Sequence, residues 1–316
     1  MKQSILFFQR ISLLLSAVLL LAGCSSSDSE EQEKGGGSQP EIRLNADSWQ
    51  VMSGTRVTTF DNAAALQTEG TFTCYAYEDG TATVYEQVNG ATATWSFTYW
   101  SIAGRPTWPE SGDLDFFAYM PQQSSLASDA PYITNVVYST ARTPQITCTN
   151  LPMTNAGQEG KKEFVYSLVT DQNKDNAGSG VELTFKHPFA RVYFKKGDGL
   201  TGVTINSVTI AGIKNNGSCT FDGTTTSWTP SGEATNLVVS GSPATGDTPY
   251  LVLPQTFDSN LTFTVNATWT SWSNVTKNVS TTVAVGTWAP GTSYTYTFNL
   301  KGEVLIVDTQ KYTEQW

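Results

Sequence analysis

The chain has 316 residues, 28 of them acidic and 18 basic, and a net charge of −10 with a single histidine. Phosphate binding needs clustered Lys and Arg that are absent here, so nucleic acid is not an expected partner. One histidine leaves little room for acid–base chemistry, while residues 41–316 are enough for two domains of ordinary size.

Residues 1–24 read as an export leader. Met1-Lys2 and Arg10 supply positive charge, Ile11 to Leu21 form a short apolar run, and Leu21-Ala22-Gly23-Cys24 ends it. The run is too short to span a bilayer and stops at small residues, so residues 1–23 are expected to be removed. Without Lys2 and Arg10 the mature chain carries about −12. The tetrapeptide resembles the lipobox of bacterial lipoproteins, which implies lipid on Cys24 and a membrane anchor. Two or three acyl chains, at about 0.8 kcal/mol per buried methylene, hold such a protein firmly. Residues 24–40 are serine-rich, acidic and then glycine-rich, and cannot bury enough surface to fold, so they form a tether. Acidic residues this close to a lipidated cysteine also resemble the surface-export signal of Bacteroidetes lipoproteins. A merely solvated linker is the alternative reading.

Beyond the tether the periodicity is two. Leu261, Phe263, Val265, Ala267 and Trp269 alternate with Thr262, Thr264, Asn266, Thr268 and Thr270, the pattern of a strand wet on one face. Ala93, Trp95, Phe97 and Tyr99 repeat it, as do Tyr294, Tyr296, Phe298 and Leu300. Shorter strands are expected at Phe72–Tyr77, Leu114–Tyr119, Lys162–Leu168, Val181–Phe185, Arg191–Lys195, Val203–Ile213, Tyr250–Leu253 and Val279–Val285. Asp79-Gly80, Asn89-Gly90, Asn216-Gly217 and Asp222-Gly223 read as hairpin turns, and only Asn62–Gln67 suggests a helical turn. The class is therefore all-β, with antiparallel β-sandwich domains over 41–172 and 173–316. The boundary is placed in the polar stretch Asp171–Gly180, which can also be read as a long hairpin loop.

Cys74, Cys148 and Cys219 are far apart and odd in number, which fits small core hydrophobes better than a disulfide framework or a metal site. A nucleophilic triad could be built only on His187, and no G-x-S-x-G elbow accompanies it. Glu110, Asp113 and Asp115 crowd a turn marked by Pro109 and Gly112, where solvated carboxylates are expected. Neither an enzyme nor a cofactor or metal site is expected.

Four patterns together resemble the fimbrillin-like proteins of Bacteroidetes, subunits of pili built from lipoprotein precursors. They are Trp108-Pro109 with Gly112, Leu114–Tyr119 and Pro121; Leu183–Val192 around His187-Pro188-Phe189; Leu253-Pro254-Gln255; and Trp288-Ala289-Pro290-Gly291 with Tyr294-Thr295-Tyr296. The resemblance implies Greek-key or transthyretin-like sandwiches, partners that are other pilus subunits, and an outer-membrane, surface-exposed location. It also implies that a protease cuts after an arginine near the start of the folded region, removes the first strand, and lets a neighbour's segment replace it. Ile42-Arg43-Leu44 and Trp49-Gln50-Val51 would supply the provisional strand. Arg56, following Gly54 in a turn-like setting, is the candidate scissile residue and Arg43 the runner-up. Val304, Leu305, Ile306 and Val307 form a compact apolar run that suits a strand buried on both faces, either closing its own sheet or entering another subunit's groove. Trp100 and Trp272 break their local alternation and are the candidate exposed aromatics for a host glycan or protein receptor. The alternative to a pilus subunit is a glycan-binding surface lipoprotein of a nutrient-uptake system.

Overall fold

The computed structural model describes residues 39–46, 62–139, 142–241, 248–270, 273–301 and 303–313. Cys24, the candidate scissile Arg56, Trp49-Gln50-Val51 and Trp272 lie outside the described residues.

In chain order the first elements are β1 (Arg43–Asn45), α1 (Ala63–Glu69), β2 (Thr71–Glu78), a 3-10 turn at Glu86–Val88, β3 (Ala91–Trp95), β4 (Trp100–Ile102) and β5 (Leu114–Met120). Next come α2 (Leu126–Asp129), β6 (Ile133–Val137), β7 (Gln145–Cys148), α3 (Asn155–Gln158), β8 (Val165–Gln172), β9 (Val181–Glu182) and β10 (Ala190–Lys196). They are followed by β11 (Val203–Ile213), β12 (Asn216–Phe221), β13 (Thr226–Ser231), β14 (Thr235–Ser240), β15 (Tyr250–Val252) and β16 (Gln255–Thr256). The chain then forms β17 (Leu261–Trp269), β18 (Val275–Val283), β19 (Thr287–Trp288), β20 (Thr292–Lys301) and β21 (Val304–Thr313). The fold is all-β. Its longest helix, α1, starts where Asn62 Oδ1 accepts from the Ala65 amide at 2.8 Å, and it stops at Gly70 in the left-handed region.

A seven-stranded sheet runs β8-β5-β2-β3-β4-β1-β9. One face carries Phe72, Cys74, Ala93, Trp100, Phe116 and Val181, closed over by Leu66 of α1, Val88 and Trp108. The other face of β2 and β5 presents Tyr77, Phe117 and Tyr119 to Ile146, Cys148, Cys219 and Phe221 from the sheet β13-β12-β7-β6. Strand β5 is buried along its whole length because both its faces are covered, which explains why six of its seven residues are apolar, Asp115 being the exception. The sheet β15-β10-β20-β21 packs on β14-β11-β17-β18 through a third core that includes Val192, Phe194, Ile210, Phe263, Tyr296 and Phe298. The wet face of that second sheet is a polar ladder: Asn206 donates to Asn266 Oδ1 at 2.8 Å, and Thr268 bonds Thr276 at 2.8 Å. The expected boundary falls at the end of β8. From there the chain returns to the seven-stranded sheet through β9 before entering the second sandwich at β10.

Several local expectations are corrected. Asn216-Gly217 is not a turn: Gly217 lies inside β12, where a Cβ would come within 2.9 Å of the Thr229 carbonyl of β13, so the glycine serves close strand approach. Asp222-Gly223 is the hairpin turn, joining β12 to β13 with Gly223 at φ 85°. The alternation through Ala93, Trp95, Phe97 and Tyr99 is not one strand. β3 stops at Trp95 and Phe97 sits at the tip of the β3–β4 hairpin. Val304–Val307 is not buried on both faces, because β21 is an edge strand that, among the described residues, is hydrogen-bonded to β20 alone. Leu305 points into the core while Val304 and Ile306 are exposed.

Candidate functional site

Only three residues form β1, yet it occupies an interior position of the seven-stranded sheet. Leu44 pairs antiparallel with Trp100 of β4 on one side and parallel with Val181 of β9 on the other. Alternation sends Ile42, Leu44 and Ala46 inward, and all three have no exposed surface. Burying Ile42 and Leu44 stabilises the fold by about 3–6 kcal/mol together. The Ile42 amide donates to the Pro106 carbonyl at 2.8 Å and the Leu183 amide to the Asn45 carbonyl at 2.7 Å, so the segment is tied in at both ends. Lifting β1 out would leave two strands facing one another across a gap floored by apolar side chains. That is the geometry of a strand-binding slot.

Arg43, the runner-up for cleavage, lies on the solvent side of β1. Its guanidinium sits 4.4 Å from the centroid of the Tyr99 ring and donates to Glu41 Oε2 at 3.4 Å. Arg105 also donates to Glu41, at 3.0 Å to each oxygen, and these bonds hold the Glu41 carboxyl below the ordinary carboxylate range. A backbone held in the ladder at this point is poorly presented to a protease.

The carboxyl-terminal hairpin offers the complementary feature. All ten residues of β21 pair with β20, and among the described residues no strand is hydrogen-bonded to its other edge. Its inward face carries Leu305 and half-buried Val307. Its outward face carries Val304, Ile306 and Tyr312, exposed by 63%, 42% and 53%. At the start of this strand, Val304–Val307, each face thus carries two apolar residues at period two, the spacing that Ile42, Leu44 and Ala46 use in the slot.

Other sequence candidates are placed differently. Trp100 is not exposed: it has no accessible surface and packs between Phe72, at 4.7 Å, and Trp95, at 5.5 Å, so it builds the slot floor and cannot stack on a ligand. Asp115 is not a solvated carboxylate either. It is fully buried, accepts from the Tyr138 hydroxyl at 3.1 Å, and lies 3.2 Å from the Arg142 guanidinium. Burial raises its pKa above the ordinary value. Asp79, Asp113 and Asp171 bring carboxylate oxygens within 4.8 Å of one another, a spacing open to a cation. Arg142 already neutralises that corner, pairing with Asp79 and, at 3.0 Å, with Asp171.

His187 is buried beside Glu163, with Nδ1 2.9 Å from Oε1, and Arg191 donates to Glu163 Oε2 at 2.6 Å. Desolvation would raise the Glu163 pKa, but the charges of Arg191 and His187 outweigh it and hold the carboxyl down to about 2. The three residues tie the segment before β8 to the start of β10, a structural ion cluster that sequence separation had concealed. Cys74, Cys148 and Cys219 are free and buried, and burial pushes the Cys148 thiol up to about 12. A surface cleft of about 840 Å³ lies between β13, β16 and β19 and is lined by Trp228, Phe257, Trp288 and three prolines.

Comparison with known proteins follows the same outline. The model of the fimbrillin-like family matches residues 55–316. A fimbrial protein from Bacteroides vulgatus superposes with a TM-score of 0.63 at 15% identity, over 86% of this chain and 99% of that one. A cell adhesion protein from Bacteroides ovatus gives 0.57 at 16% identity, over 88% and 98%, and one from Bacteroides uniformis gives 0.53 at 16%, over 89% and 99%. The adhesion role of the latter two is an assignment and not a demonstrated activity, and at these identities the likeness speaks for the fold alone. No curated protein matches in sequence. A family-model match over residues 55–316, on a fold shared with these proteins over most of the chain, settles the relationship: the chain belongs to the fimbrillin-like family.

Proposed function

We propose that this chain is a structural subunit or adhesin of a cell-surface pilus, exported as a lipoprotein precursor anchored through Cys24 in the outer membrane. On this reading, proteolysis after Arg56 frees β1, and a strand from another subunit takes its place between β4 and β9. The observation that carries the reading is the placement of β1: a three-residue strand, interior to its sheet, whose inward side chains are wholly buried. Residues 47–61 separate it from α1, so one cut there severs its covalent link to everything that follows.

The donor on this reading is β21, an edge strand that opens with four apolar residues, Val304–Val307. Detaching it costs the ten-residue ladder with β20 and the burial of Leu305 and Val307, and inserting it gains ladders on both sides and an apolar floor. The deciding measurement is the amino-terminal residue of the protein recovered from the cell surface. Val57 is expected for assembled subunits, and Arg56→Ala is expected to leave them starting at lipidated Cys24. Polymers whose subunits still begin at Cys24 would overturn the exchange.

A further inference from the structure

Phe97 is 88% exposed, the highest value among the described large apolar residues. Its φ of 72° lies in the left-handed region, which a bulky L-residue adopts only when its surroundings impose it. The surroundings do. The β3–β4 hairpin closes with Trp95 opposite Trp100, the two indoles 5.5 Å apart. The Ser96 amide and hydroxyl both donate to the Tyr99 carbonyl, at 3.0 and 2.6 Å. Chain geometry therefore holds a large apolar side chain in water at the end of a well-braced hairpin, where a polar residue would cost nothing.

The position of that hairpin is informative. The β1–β4 ladder ends with Leu44 opposite Trp100, so the tip at Ser96–Tyr99 projects past the carboxyl end of β1, along the line on which the slot continues. Arg43 covers Tyr99 from the resident strand, and no described residue covers Phe97. β1 has three residues and β21 has ten. A strand as long as β21 placed in the slot overhangs the footprint of β1 by roughly 23 Å at 3.3 Å per residue. The outward positions of β21 are Val304, Ile306, Asp308, Gln310 and Tyr312, so the strand brings exposed apolar side chains near both of its ends, each able to meet an aromatic knob.

We infer that Phe97 is a contact residue for the carboxyl-terminal strand of a second copy of this chain, gripping the part of that strand that extends beyond the place of β1. The inference rests on the strand-addition reading above and adds a residue and a contact to it. β1 ends at Asn45, short of Phe97, and the knob serves the longer, later occupant.

The test uses the full chain expressed and processed on cells. With p-benzoylphenylalanine at position 97, irradiation is expected to cross-link one subunit to tryptic peptides from residues 302–316 of another. Phe97→Ser is expected to let polymer form but to speed its dissociation about tenfold, the loss typical of an interface anchor, with Phe97→Leu restoring most of it. Polymer that forms normally while cross-links fall only within the same chain, or while Phe97→Ser dissociates at the wild-type rate, overturns this inference and leaves strand addition standing. A Phe97→Ser precursor destabilised as much as its polymer also overturns it, since Phe97 would then serve the monomer. Failure of the wild-type chain to polymerise overturns both.

Discussion

The two terminal strands of the folded region are opposites. β1 is short and interior, with every inward side chain out of water, whereas β21 is long and marginal, with apolar residues on its solvent face. In most sheets length and burial go together, since an interior strand gains two ladders and an edge strand is kept short or charged to deter pairing. Here the relation is inverted. The strand best buried has the fewest hydrogen bonds to lose, and the strand best able to pair is the one left with a free edge.

The contrast can be broken most sharply at Leu44. Leu44→Ala should cost the precursor about 2–5 kcal/mol by leaving a cavity in the slot floor, read as a lower urea midpoint at unchanged slope. In polymers whose subunits have lost β1, the same substitution should leave dissociation unchanged. An equal loss in both forms would mean that the strand never leaves.

Next comes the Glu163 cluster, which belongs to neither strand and so calibrates both. Its carboxyl has a folded pKa of about 2 against an ordinary 4.5, a depressed value, so its stabilisation is complete above about 4.5 and is lost as pH falls toward 2. That contribution is on the order of 3 kcal/mol. Glu163→Gln should flatten this acid limb and lower stability at neutral pH, as followed by thermal melts from pH 7 to pH 2 in precursor and polymer alike. An acid limb as steep in the variant as in the parent would refute the assignment.

A smaller effect is expected at Arg142, which is partly exposed and neutralises buried Asp115. Arg142→Ala should cost about 1–3 kcal/mol, most of it from the carboxylate left buried without its counter-ion. The double variant with Asp115→Asn should recover part of that loss in chemical denaturation. The smallest effect is at Ile306: Ile306→Ala should change precursor stability by less than about 0.5 kcal/mol, because the side chain is already in water. If strand addition is the assembly route, it should still weaken the polymer, so a silent result in both assays would remove β21 as donor.

How far the sequence could be read depended on whether a pattern was local. Val203–Ile213 was legible to the residue because a half-wet strand prints its own alternation. Ile42-Arg43-Leu44 was recognisable as a strand, but not its seat between β4 and β9, since pairing with residues near 100 and 181 leaves no local trace. Phe97 was misread because its spacing continued that of Ala93 and Trp95 across a turn the backbone actually makes. Val304–Val307 misled in the opposite way: consecutive apolar residues normally mean two covered faces, and here one face is open. Glu163 carried no signal at all, because its partners are 24 and 28 positions away.

Parallel pairing of the slot with β9 has a mechanical consequence. Four residues beyond Glu182 the same chain is clasped by reciprocal backbone bonds between Lys186 and Tyr166, at 2.7 and 3.1 Å, and immediately afterwards by the His187 and Arg191 contacts to Glu163. Tension applied along any strand lodged in the slot is thus passed sideways into β9 in shear and then into a buried charged rivet, not into a loose loop. A fibre assembled this way would bear load from one sandwich to the next through its interior.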